Sequence, residues 1–118
     1  MDISNSVKDS HCIGSINIFS GRPNPTWDID DSAVRRLREL WTSMDPYHER
    51  LLKPPPLGYG GCLMRCNDEE WFAYSGAVTL KINEKRESRS DKDRRFEKLL
   101  LNSAPTGLFP SSIIENEI

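Results

Sequence analysis

Three cysteines, two histidines, two acidic clusters and one proline-stiffened loop are the groups in this 118-residue chain that could do chemistry. Zinc binding is the first possibility. Cys62 and Cys66 stand four apart in a segment that reads as a strand, where four residues span about 13 Å. Two thiolates on one zinc must lie within about 4 Å of each other, so this pair does not chelate. Buried structural cysteines are the reading, and no metal is expected. Nucleophilic catalysis needs a nucleophile beside a base that a third group orients. His11 and His48 are the only histidines, and His11 and Cys12 are sequence neighbours that point to opposite faces of a strand. Gly58-Tyr59-Gly60-Gly61 leads into a strand and lacks the helix N-terminus that binds phosphate. No nucleophile elbow or dinucleotide fingerprint is present. Asp28, Asp30 and Asp31 read as helix capping, and Asp68, Glu69 and Glu70 as turn solvation. No catalytic residue, no cofactor and no enzyme activity is expected.

Binding is the chemistry these residues favour. In Phe19-Ser20-Gly21-Arg22-Pro23-Asn24-Pro25-Thr26-Trp27, Pro23 and Pro25 fix their own φ and push Arg22 and Asn24 toward extended geometry. The loop costs little entropy to order and holds a guanidinium, a carboxamide and an indole in place. Arg22 can take a carboxylate in bidentate fashion. Arg22, Asn24, Trp27 and Tyr59 are therefore the candidate peptide-binding residues. An extended peptide would add to a sheet edge beside them by β-augmentation. For Trp27 and Trp71, capping the core is an equal reading.

Composition excludes several partners. Sixteen basic and 18 acidic residues give a net charge of −2, so there is no global attraction to nucleic acid or to an anionic membrane. Between Lys81 and Lys98, eight basic residues are interspersed with five acidic ones, which reads as a solvated face. No apolar run is long enough to span a bilayer. Met1 to Ser10 is polar without the apolar core of a secretory signal. An odd cysteine count argues against a disulfide framework, so reduced thiols and a cytoplasmic location are expected.

Hydrophobic periodicity supplies the elements that must position the loop. Residues 1–10 read as a disordered arm, 11–104 as a single domain and 105–118 as a tail that packs across the sheet or on another chain. Cys12 to Phe19 is predicted as a strand, and Thr26 to Ile29 is a short β-prone segment that either returns as a hairpin partner or leads into the next helix. A helix is predicted from Asp30, Asp31 or Ser32 to Met44, with Val34, Leu37, Leu40, Trp41 and Met44 on one face. Pro54-Pro55-Pro56 reads as a stiff spacer. Tyr59–Cys66 and Trp71–Ile82 are predicted to form an antiparallel hairpin, the second strand carrying a possible break at Ser75-Gly76. Asn83 to Arg89 reads as a charged loop, and a helix begins at Ser90 with Asp93 closing a capping box. The fold expected is α+β: a mostly antiparallel sheet of three to four strands packed on one face by two helices.

The nine-residue loop motif, Gly58-Tyr59-Gly60-Gly61 and the stretch from Asp93-Arg94 to Leu101 together resemble crocagin-type peptide-binding proteins. Those are small accessory proteins of ribosomal-peptide (RiPP) natural-product biosynthesis. The likeness spans roughly residues 13 to 104. It implies an α+β fold, a homodimer and a non-catalytic role holding a precursor peptide for separate modifying enzymes. A small cysteine-dependent enzyme using Cys12 or Cys62, and a structural subunit of a larger complex, are the alternatives.

Overall fold

The computed structural model describes residues 11–19 and 21–118. The predicted N-terminal arm lies outside the described residues. The chain forms an open antiparallel sheet of six strands: β1 (Cys12–Phe19), β2 (Thr26–Asp28), β3 (Gly58–Cys66), β4 (Glu69–Tyr74), β5 (Ala77–Ile82) and β6 (Lys85–Ser90). Their spatial order is β2-β1-β3-β4-β5-β6. Helices α1 (Asp31–Ser43) and α2 (Arg95–Asn102) pack against it, and a short α3 (Ser112–Glu117) lies near the C-terminus.

α1 starts where the Asp30 carboxylate accepts the Ala33 N–H at 2.8 Å, filling one of the unpaired donors of the first turn. Ala33, Leu37 and Trp41, four residues apart, form its buried face. Trp41 meets Trp71 of β4 edge-on at 5.2 Å, and Phe96 of α2 stacks on the same indole at 5.8 Å. Both helices therefore share one core, in which Ile16, Leu37, Cys62, Ala73, Val78, Phe96 and Leu100 have no exposed surface.

The sheet has more strands than the three to four expected, for two local reasons. Ser75 (φ 52°) and Gly76 (φ 93°) form a two-residue turn of left-handed residues, which splits the long predicted strand into β4 and β5. Lys85-Arg86-Glu87-Ser88-Arg89-Ser90 has no apolar residue to announce it, yet it pairs with all of β5 as an edge strand. The second helix also starts later than Ser90. Asp91, buried at 3% exposure, caps it by accepting the N–H groups of Phe96 and Glu97 at 2.8 and 3.0 Å. Asp93 and Arg94 between them both take φ near +56°, forming a short 3-10 turn.

The cysteines differ from expectation as well. Cys12 and Cys66 are joined by a disulfide and Cys62 is a buried free thiol. The register explains why: Cys12 lies directly opposite Cys66, with Cα atoms 4.3 Å apart. Cys12 turns its backbone groups toward β2, so the pair is a non-hydrogen-bonded one, where facing side chains come closest. The tail packs in cis: Phe109, Ile113, Ile114 and Ile118 lie against the core.

Candidate edge-strand binding site

β1 leaves the sheet into the proline-rich loop, and side-chain chemistry closes the ladder there. Ile16 donates its N–H to the Pro25 carbonyl at 3.3 Å. One rung further, no backbone partner is left, and the Asn24 Oδ1 accepts the Ile18 N–H at 2.9 Å. The Asn24 Nδ2 donates to the Asn17 Oδ1 at 3.3 Å. Asn24 thus acts as a side-chain substitute for the next strand residue and ties its part of the loop to β1. Arg22 stands on that loop, exposed, and forms no ion pair among the described residues.

Beyond the loop, β2 forms the sheet edge. Pro25 and Ile29 point their backbone groups to β1, since Pro25 accepts from Ile16 and Ile29 donates to the Cys12 carbonyl at 3.0 Å. Strand alternation then turns the N–H and C=O of Thr26 and Asp28 outward. No described strand pairs with that side. Exposed His11 sits beside it, its Nε2 3.1 Å from Asp28 Oδ1.

The four predicted residues divide into two pairs. Arg22 and Asn24 are exposed on the loop. Trp27 is 5% exposed: its indole lies over Gly14, where an added Cβ would come within 2.5 Å of the ring. Its Nε1 donates to the Ser103 Oγ at 2.9 Å, and Phe109 packs 6.0 Å away. Trp27 is the core anchor of β2. Tyr59 is 6% exposed and donates its hydroxyl to the Glu97 carboxylate. Of the four, Arg22 and Asn24 alone are exposed, and the edge groups of Thr26 and Asp28 lie beyond them along the chain. Those two backbone donors carry no residue-type signal. Only the shortness of the β segment after the loop pointed to an edge.

The opposite edge is protected. Residues 45–47 run beside β6, where Ser90 donates to the Asp45 carbonyl at 2.7 Å and Tyr47 donates to the Ser88 carbonyl at 3.0 Å. The rest of β6 is lined by charge, a common device against unwanted pairing. A concave surface of about 580 Å³ at the β5–β6 hairpin, floored by Leu80 and Ile82, also lies at this far edge.

The buried polar groups form a structural cluster. Glu97 has no exposed surface and accepts from the Ser75 N–H at 3.1 Å, from Tyr59, and from Arg94 through two bonds of 2.9 and 2.8 Å. Every donor faces the carboxylate, as burial of a charge demands. Desolvation pushes the Tyr59 hydroxyl and the Cys62 thiol well above their ordinary ranges. A nucleophilic cysteine must be a thiolate, and Cys62 is sealed in the core while Cys12 and Cys66 are bonded to each other. Among the described residues no group of acidic, histidine or cysteine side chains is arranged to hold a metal, and no helix is long and apolar enough to cross a membrane.

Comparisons of the chain with protein-family models, with curated proteins and with solved structures find no match.

Proposed function

We propose that this protein is a non-catalytic peptide-binding module that captures an extended precursor peptide and presents it to separate enzymes of ribosomal-peptide biosynthesis. The observation that carries the reading is the edge of β2, unpaired among the described residues, beside the exposed Arg22. An extended peptide added to β2 satisfies the outward groups of Thr26 and Asp28 by main-chain hydrogen bonds. Arg22 then takes an acidic group of that peptide, a carboxylate side chain or the chain terminus, in a two-pronged bond. A loop already held by two prolines and the Asn24 bonds loses little freedom on binding. Holding the peptide on such a surface raises its effective concentration at a modifying enzyme without any bond being made or broken. The modifying enzymes and a second copy of the chain are the further partners in this reading.

Titration calorimetry against a synthetic precursor peptide encoded beside the gene tests it. Arg22→Ala is expected to weaken binding about tenfold, the scale of a charge-assisted hydrogen bond. Thr26→Pro removes one outward donor without touching the β1–β2 ladder, and should abolish binding while leaving the thermal melt unchanged. Wild-type affinity in both variants would refute the edge as the binding surface.

A further inference from the structure

Cys12 is the first residue of β1 and Cys66 the last of β3, and the disulfide between them closes a separation of 54 residues. The Cys12 carbonyl faces the other way, accepting the Ile29 N–H at 3.0 Å just past the end of β2. One residue therefore carries both the covalent tie to β3 and the hydrogen bond that fixes the exit of the edge strand. β2 is three residues long and hangs on β1 alone among the described strands.

We propose that the Cys12–Cys66 disulfide is a redox-sensitive latch on the edge strand β2. Oxidised, it pins the start of β1 and with it the Ile29 end of β2. Reduced, the two unbonded sulfurs need more room than the disulfide did, and they stand at the outermost rung of both strands. That rung frays and Ile29 loses its acceptor. A thiol reductant supplies the change: two electrons enter the S–S bond, each cysteine sulfur takes a proton, and two thiols of the reductant close into a disulfide. Both cysteines are 1% exposed, but each ends its strand, next to exposed His11 on one side and exposed Asn67 on the other. Opening a single rung admits the attacking thiolate. Cys62 does not compete, because it faces Ile16, four residues along β3 from Cys66, and remains a buried neutral thiol. The use of the latch to control peptide capture rests on the reading of β2 as the capturing edge.

Amide hydrogen exchange on the full chain, oxidised and in dithiothreitol, tests the latch, with the Cys12→Ala/Cys66→Ala double variant as a form that can never be tied. On reduction Ile29 should lose protection and exchange by local fraying, nearly independent of sub-denaturing urea, while Leu100 keeps the steep urea dependence of global unfolding. Affinity for the precursor peptide should fall at least tenfold. Unchanged Ile29 protection would overturn the latch. So would an Ile29 amide that, once reduced, exchanges with the same urea dependence as Leu100, the mark of a disulfide that acts on global unfolding alone. A faster Ile29 amide with unchanged affinity for a peptide that does bind would overturn its control of capture. Should the peptide bind in neither state while Ile29 responds as expected, the capture reading fails and the latch stands. If the double variant does not fold, the reduced wild-type chain still gives the comparison.

Discussion

Glu97, a carboxylate with no exposed surface, joins β3, the β4–β5 turn and the start of α2 through Tyr59, Ser75 and Arg94. Removing one member of such a buried set leaves the others desolvated and unpaired. Glu97→Ala is expected to cost about 3 kcal/mol, read as a lower urea midpoint, with Glu97→Gln costing less because it keeps an acceptor. Asp91 beside it makes a prediction about pH. Burial raises its carboxyl above the ordinary 3.8, despite the two N–H groups it accepts. The folded chain therefore binds this proton before the unfolded chain does. Its contribution to stability falls as pH rises from about 4 through the folded value and is constant above it. Asp30 has the opposite sign. The Ala33 N–H and the Ser32 hydroxyl hold its carboxyl below the ordinary value, and its contribution is lost as acid protonates it. Urea midpoints measured between pH 4 and 7 should decline less with rising pH in Asp91→Asn than in wild type.

At the scale of elements, β6 and α1 are tied by Arg89. Its guanidinium lies 4.2 Å from the Trp41 ring centroid and donates at 2.7 Å to the Trp41 carbonyl, in the last turn of α1, which also accepts the Met44 N–H at 3.2 Å. Arg89→Ala should cost about 2–4 kcal/mol, the sum expected for a part-buried cation–π contact and one charge-assisted bond, seen as a lower urea midpoint. Such ties show what was legible beforehand. β1 and α1 were legible because one face of each is buried, so apolar residues recur at steps of two or of three and four. β6 was not, because its side chains are charged and its place is set by backbone pairing with β5. The start of α2 was misread because Ser90 and Asp93 imitate a capping box, whereas Asp91 reaches across two left-handed residues to do the capping. The disulfide was hidden because counting cysteines says nothing of register, and register alone brings Cys12 to Cys66. At the candidate site, a loop presenting Arg22 and Asn24 was readable from its prolines, and both are exposed. Trp27 carried two equal readings, binding and core capping, and what decides for the core is Gly14 leaving room for the indole and Ser103 taking its N–H.

For the whole molecule, one sheet edge is blunted by charge and by residues 45–47 while the other ends in a short strand beside the proline loop. The disulfide closes the chain over 54 residues, which in the chain-entropy account contributes about 4 kcal/mol. That is a large share of the 5–15 kcal/mol typical of a domain. Reduction should lower the melting temperature by roughly 15 °C, checked by calorimetric scans with and without dithiothreitol. The most direct test of the central claim follows the backbone amides of the two edges by NMR as the precursor peptide is added to the oxidised protein. Capture by strand addition predicts new exchange protection at Thr26 and Asp28, with Arg86 on the far edge unchanged. Protection gained at Arg86, with Thr26 and Asp28 unaltered at saturating peptide, would contradict it.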